Sequence, residues 1–391
     1  MHAVNTYDVI LAGGGAAGLS LAYQLRRAFP NIAMLIVDEE VKNQNDHTWC
    51  YWSTTPSYVD TLAYRTWDRL AVYTPNAILH HDLAPYRYHM VRAIDFYRFV
   101  REELACRPGV QFLRGTIRDI SESEAPQGGF AEVMVNEIAY RAKWVFDSRY
   151  RAETYRPLTR QYHYLTQHFL GWEIEAEEAI FDPQRFTMFD FRTPQQGAMR
   201  FFYVLPYTEK HGLVEYTLFS DDLLPLNTYR RALEHYIEHQ LGITHYRVLE
   251  EERDLIPMTD HPYPRRVGRQ TLNIGTRGGR VKPSSGYAFQ RIQDDAVAIT
   301  QSLERYDHPF AIPKSPGRYR LYDTMLLQIL HRHGHLGAPI FARLFQRNPV
   351  QRVFRFLDEE DGLWENLKLM ASVPSWPFVR AWLRISLLRR V

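Results

Sequence analysis

Cysteine is almost missing from this chain of 391 residues: there are two, Cys50 and Cys106. Their separation matches neither a metal site nor a CxxC redox pair, and it suits a reducing cytosol. The 16 histidines fall without HExxH or any similar ligand spacing, so no metal site is expected. The net charge is only +2, which gives no argument for nucleic acid as a partner. No uninterrupted apolar run of about 18 residues occurs, so no segment is expected to span a membrane. A polar-to-neutral stretch precedes the first apolar strand, where a secretory leader would carry a long apolar region. Internal repeats and low-complexity tracts are missing as well.

Rings are abundant instead, with 25 Tyr, 21 Phe and 8 Trp. So many aromatics fit a ring-rich core, or a site for a large apolar or cationic species. The length allows two domains, or one large domain with an insertion.

The stretch from Tyr7 to Glu40 organises the rest. An apolar run through Val9 and Ala12 leads into Gly13-Gly14-Gly15-Ala16-Ala17-Gly18. A helical pattern follows through Leu19, Leu21, Ala22 and Leu25, and a second apolar run ends at Asp38. Strand, glycine turn, helix, strand and terminal acid form a dinucleotide-binding βαβ unit. Gly13 permits the tight turn, Gly15 lets a pyrophosphate approach the backbone, and Gly18 lets helix and strand pack closely. The helix N-terminus offers free N–H groups to phosphate, and Asp38 can accept from ribose hydroxyls. An ordinary βαβ unit is the plain alternative. The cofactor-binding positions expected here are Gly13, Gly15, Ala16, Ala17, Gly18, Asp38 and Glu39.

Farther along, His47-Thr48-Trp49-Cys50-Tyr51-Trp52 is an aromatic loop of the kind that a ligand or another domain covers. A helix is expected from Asp95, with that residue near its N-cap. Ser121 to Gly129 reads as a hairpin tip, and Lys143 to Arg149 as a buried strand ending in Asp147. Strands are expected over His163–Leu170, Gly171–Ile174, Thr187–Phe191, Arg200–Leu205 and Gly212–Phe219, forming an inserted antiparallel sheet. Asn273 to Tyr287 resembles a second cofactor loop, with Gly275, Pro283, Ser285 and Gly286 ahead of a helix over Ala288–Leu303. From Tyr319 onward the pattern is helical. Phe378 to Arg390 mixes Phe378, Val379, Trp382, Leu383, Ile385, Leu387 and Leu388 with arginines, as in a helix lying on a bilayer surface; helices packed on the domain are the alternative.

The expected fold is α/β, an FAD-binding Rossmann-like domain of glutathione-reductase type with an inserted antiparallel sheet and C-terminal helices. Its parts are residues 1–50, 90–155 and 250–305 for the cofactor, 51–89 and 156–249 for the substrate, and 306–391 as the helical region.

The chain resembles the FAD-dependent lycopene β-cyclases of bacterial carotenoid pathways. The resemblance rests on Tyr7 to Asp38, His47-Thr48-Trp49, Phe146-Asp147-Ser148-Arg149, Tyr203-Val204-Leu205-Pro206, Leu213-Val214-Glu215-Tyr216-Thr217 and Pro283-Ser284-Ser285-Gly286-Tyr287. It implies Glu215 as the catalytic acid, and where plant-type members carry a second adjacent acid this chain has Tyr216. It also implies that His47, Thr48, Trp49, Asp147, Arg149 and Tyr287 join the cofactor site. The implied reaction is redox-neutral: reduced FAD, maintained by NAD(P)H, assists an acid that protonates the end of lycopene, and ring closure gives γ-carotene and then β-carotene. A cytoplasmic enzyme held peripherally on the inner membrane would follow, with other carotenoid-pathway enzymes as candidate partners. The rival class is a redox flavoenzyme, an FAD-dependent monooxygenase or a prenyl-chain reductase acting on a hydrophobic substrate. Such enzymes commonly open the second loop with Gly-Asp, whereas Gly275-Thr276 stands here.

Overall fold

The computed structural model describes residues 5–106, 108–123, 129–155 and 162–388. The two N-terminal apolar runs form β1 (Asn5–Ala12) and β2 (Met34–Asp38), parallel neighbours joined by α1 (Ala16–Ala28). The helix turns Leu19, Leu21, Ala22 and Leu25 into the core, as the spacing requires. Five short strands follow, β3 (Thr48–Ser53), β4 (Arg65–Trp67), β5 (Arg69–Thr74), β6 (Ala77–Asp82) and β7 (Arg87–Arg92). After α2 (Ala93–Ala105) come β8 (Val110–Arg114), β9 (Ile117–Glu122), β10 (Ala131–Val135) and β11 (Ile138–Asp147). The short α3 (Ala152–Tyr155) precedes β12 (Tyr164–Ala176), β13 (Arg185–Asp190), β14 (Met199–Pro206) and β15 (His211–Ser220). Next are α4 (Leu226–His239), β16 (Tyr246–Thr259), β17 (Thr271–Asn273) and α5 (Phe289–Tyr306). The chain then continues as α6 (Gly317–His333), α7 (Gly337–Arg347), α8 (Val350–Leu357), α9 (Leu363–Ser372) and α10 (Ser375–Leu383).

These strands form three sheets. The nucleotide-type sheet runs β8-β2-β1-β11-β10-β9, with β17 also on β11. The second, also of seven strands, runs β16-β12-β15-β14-β13-β5-β6, and a small sheet runs β3-β7-β4. Along β15 the side chains alternate, so the second sheet has two differently covered faces. Val214, Tyr216 and Leu218 pack with Leu233, Tyr236 and Ile237 of α4. Leu213 and Phe219 face the other way, into a core shared with Leu330 of α6, Phe341 of α7 and Phe354 of α8.

Several expectations are corrected. The two strands expected over 163–174 are one: β12 passes straight through Gly171, which pairs on both sides, with Glu215 and with Glu252. Sequence boundaries placed after residues 50, 89 and 249 each fall inside a strand (β3, β7 and β16), because pairing with distant segments decides where a unit ends. In particular β16 lies along β12 in the second sheet, not in the nucleotide unit. Asp95 is not the cap of α2. The helix starts two residues earlier, after Arg92, whose Nε donates to Asp95 at 2.6 Å. Part of the expected hairpin tip over 121–129, and Arg389 and Arg390, lie outside the described residues.

Candidate active site

The glycine loop behaves as its spacing requires. Gly13 has φ +112°, and a Cβ there would lie 2.1 Å from Ser148 Oγ, so only glycine makes this turn. A Cβ on Gly18 would lie 1.9 Å from the Gly13 carbonyl oxygen, which is the close helix packing expected of the third glycine. A Cβ on Gly15, by contrast, meets nothing within 4 Å, which leaves open space at the N-terminus of α1. Asp38 ends β2 and accepts from Gly14 N–H at 2.6 Å and Glu40 N–H at 2.8 Å, keeping a lone pair on each oxygen. Glu39 beside it is exposed.

The second loop closes over the first. Gly275 has φ +60°, and a Cβ there would sit 2.7 Å from the Ala17 side chain. Lys282, fully buried, holds the start of the 282–287 turn through Asp323 (3.0 Å) and Glu359 (2.7 Å). Beyond Pro283, Gly286 takes φ +74°, and a Cβ would fall 2.2 Å from Gln167 Oε1. That oxygen and Ser285 Oγ are buried without a hydrogen-bond partner. Two orphaned polar atoms beside an open glycine cradle are what a polar, phosphate-bearing cofactor would satisfy. Both loops open on one cavity of about 550 Å³, lined by Gly15, Ala16, Ala17, Gly275, Ser285 and Gly286 at this end.

Not every expected cofactor residue reaches that cavity. Asp147 is buried, and its two oxygens accept from Arg149 Nε (2.9 Å), the Arg149 amide (3.0 Å) and Arg149 Nη2 (2.9 Å), with Arg277 Nε at 3.2 Å. The pair fixes the end of β11, and neither residue lines the cavity. The aromatic loop does line it. Trp49 stacks on Phe289 at 5.0 Å, His47 Nδ1 lies 3.0 Å from Asp254, and Thr48 Oγ1 donates to Glu252 at 2.7 Å.

The far end of the same cavity is acidic and aromatic. Ladder pairs share a face, and the register sets Glu252, Gly171, Glu215 and Tyr203 in one transverse row across β16, β12, β15 and β14. Glu215 is buried and accepts from Thr217 Oγ1. Burial raises its pKa first, then the Glu252 charge, to about 8, so at neutral pH it is a carboxylic acid. Glu252, part-exposed on the cavity wall, is raised to about 7 by burial first and by Glu250 and Asp254, against the Thr48 hydrogen bond and His47. Around the acids, the Tyr88 hydroxyl bonds those of Tyr203 and Tyr287, both at 2.7 Å. Phe201, Phe341, Leu344 and Phe345 close the apolar wall.

Sequence reading missed Glu252 and Tyr88. The alternation of Glu250, Glu252 and Asp254 along a strand was a usable sign for the first. Nothing local marks the second. Among the described residues no cluster of three or more His, Cys, Asp or Glu could hold a metal ion.

Residues 8–383 match the profile of the family described as lycopene cyclase protein. The chain belongs to the lycopene cyclase family. Among curated members, the lycopene beta-cyclase of Paracoccus sp. is 28% identical and aligns over 95% of each chain. The chloroplastic lycopene beta cyclase of Arabidopsis thaliana is 23% identical over 76% of this chain, and the match spans only 60% of that longer relative. A solved flavoprotein/dehydrogenase from Cytophaga hutchinsonii superposes with a TM-score of 0.62 at 12% identity, covering 90% of this chain and 92% of its own. That likeness gives the cyclase the fold of flavoproteins, as expected from its glycine loops.

Proposed function

We propose that this family member is a lycopene β-cyclase that closes β-ionone rings on the linear end groups of lycopene by acid catalysis. The observation that carries the reading is Glu215, a carboxyl kept protonated at neutral pH within a ring-lined cavity that continues to the glycine loops. Protonating an isolated alkene needs an acid that stays neutral until used and is shielded from water. Glu215 holds that proton, the Thr217 hydroxyl orients its carboxyl, and aromatic faces at Tyr203 and Phe201 offer cation–π attraction to the ring-closing cation. The open space at Gly15 and the unpartnered Gln167 and Ser285 oxygens suit FAD. Gly15, Ala16 and Ala17 at the α1 N-terminus would hold the pyrophosphate, Asp38 the ribose, and Ser285 and Gly286 the flavin end. When bound in reduced form, FAD supplies negative charge that stabilises the cation. NAD(P)H would serve only to keep the flavin reduced.

Supply of substrate from a bilayer is part of the reading. The rings of α7 and α8 are mostly buried in the core, and Phe378 and Ile385, expected on the membrane-facing segment, pack against it too. Helices α9 and α10 instead expose Trp364 (76%), Trp376 (62%) and Trp382 (47%), with Leu363, Leu367, Val379 and Leu383 between them. Such rings sit well at the headgroup level. Among the described residues no helix is long and apolar enough to cross a membrane, so the attachment proposed is peripheral, on the cytoplasmic face.

The test is the purified protein, loaded with FAD and reduced by dithionite, given lycopene in liposomes. Cyclised yellow-orange product without continuing NAD(P)H consumption is expected. Unchanged lycopene would overturn the reading, and one NAD(P)H used per ring would move the enzyme to the redox class.

A further inference from the structure

At the position after Glu215, where plant-type members carry a second acid, this chain has Tyr216. The structure turns Tyr216 to the opposite face of the sheet, stacked with Phe202 and packed near α4. No carboxyl adjacent to Glu215 in sequence could share its cavity, because successive side chains on a strand point to opposite faces.

A second carboxyl reaches Glu215 from a different strand. Glu215 and Glu252 both pair with Gly171, one on each side, so their backbones stand two inter-strand spacings apart, about 10 Å. The residue between them has no side chain. A Cβ placed on Gly171 would lie 3.1 Å from Leu213 Cδ1, 3.2 Å from Glu252 Cγ and 3.6 Å from Glu215 Cβ, so Leu213 and Glu252 crowd the space over the glycine and Glu215 borders it. Both line the cavity. Thr48 Oγ1 fixes Glu252 from the β3 side as Thr217 Oγ1 fixes Glu215 from its own strand.

We propose that Glu252 is the second catalytic carboxyl of the site, the base that removes the proton lost after ring closure and returns it to Glu215. This rests on the cyclase reading above. In each cycle the Glu215 O–H bond breaks and a C–H bond forms at the terminal alkene carbon. The π pair of the next double bond closes the ring and leaves a cation on the ring. A neighbouring ring C–H then breaks, its electron pair becomes the ring double bond, and its proton goes to the Glu252 carboxylate. That proton passes across Gly171 to the Glu215 carboxylate. Protons in equal protons out, no electrons are consumed, and both carboxyls return to their starting state.

The charges around the pair suit a shared proton. On β16 itself, Glu250 and Asp254 add negative charge, and from the segment leading into β3, His47 answers Asp254. Cys50 and the hydroxyls of Tyr88, Tyr203, Tyr207 and Tyr287 are all held well above their ordinary values, so they stay neutral at working pH. Two carboxyls of the cavity wall, Glu215 and Glu252, are therefore held where they can exchange a proton near neutrality.

The experiment compares the flavin-loaded wild type with Glu252→Gln and Glu252→Asp across pH. Glu252→Gln should lose at least tenfold in kcat. Its remaining activity should fall off on the alkaline side about one pH unit earlier, because the like charge that adds to burial in holding Glu215 protonated is gone. Glu252→Asp should recover part of the rate. A Glu252→Gln variant with wild-type rate, or with an unmoved alkaline limb, overturns the proposal. If its rate is too low to profile, infrared titration of the protonated-carboxyl band decides. The remaining band should disappear at lower pH than in the wild type, and an unchanged midpoint overturns the proposal. The two readings fail separately. Wild type that never cyclises lycopene removes the cyclase reading, whereas active wild type with an inactive Glu215→Gln and an unaffected Glu252→Gln removes only Glu252.

Discussion

At the glycine end of the cavity the first loop, which the second then covers, is produced by one continuous segment, Gly13 to Asp38, in which turn, helix start and strand end follow from neighbours in sequence. At the carboxyl end the same cavity wall needs four strands drawn from distant parts of the chain, and its arrangement follows from register alone. The first end is a local motif that would keep its shape in many surroundings. The second is a property of one sheet, and a slip of a single residue in β16 would turn Glu252 away from the site. In the proposed site, binding and chemistry are thus secured by different means.

The sharpest way to break the comparison is at the carboxyl end. Glu215→Gln keeps the shape of the side chain and removes the proton, so cyclisation should fall by at least about a hundredfold while flavin content stays at the wild-type level. Retained activity would shift the proton source elsewhere. The opposite lesion is Gly18→Ala. Its new methyl carbon would strike the Gly13 carbonyl, so the helix must move, at roughly 1–3 kcal/mol of stability. Here flavin content, measured by its release on denaturation, should fall along with the melting temperature. A variant that binds flavin normally would mean the helix N-terminus is not the cofactor's seat.

A smaller effect sharpens the contrast through pH. Glu215 and Glu252 hold protons in the folded chain up to about 8 and about 7, against an ordinary value of 4.5. The unfolded chain therefore loses these protons first as pH rises, and their stabilising contribution is full below about 4.5 and gone above about 8. The melting temperature should fall between pH 5.5 and 8 in the wild type, and less steeply in the double variant Glu215→Gln/Glu252→Gln. Equal slopes would mean the pair is not held protonated. The mildest change is at the surface. Replacing Trp364, Trp376 and Trp382 by Ser should weaken liposome binding severalfold and leave turnover of detergent-dispersed substrate unaltered. Undiminished liposome binding would make α9 and α10 ordinary surface helices.

The same division explains what could be read in advance. Gly13, Gly15 and Gly18 were legible because their spacing is itself the signal, with Gly13 at the positive φ of the turn, Gly15 at open space by the helix start and Gly18 against the Gly13 carbonyl, and the two loops and their helices fell where the pattern placed them. Glu215 was found only through family resemblance, since as a strand residue it looks like any alternating glutamate. Glu252 was harder still: the alternation of Glu250, Glu252 and Asp254 marks a strand face, but only the pairing of both strands with Gly171, a residue that reads as a strand breaker, brings that face to Glu215. Asp147 shows the converse. A strand ending in acid suggested a cofactor contact, and the arginines that occupy it lie two residues and more than a hundred residues away.

β16 is also the outermost strand of its sheet. Residues 247 to 251 are exposed, among them Val248 and Leu249, with Leu255 beyond them, so this long strand presents unpaired backbone and apolar side chains that another chain could add to. Five consecutive charged residues, Glu250 to Asp254, interrupt it, which is how natural sheets keep their margins from sticking together. The acids proposed to tune the chemistry therefore double as a guard against strand-to-strand aggregation. Neutralising them to study turnover also makes the protein more prone to self-association, a cost to solubility that is separate from any loss of proton transfer.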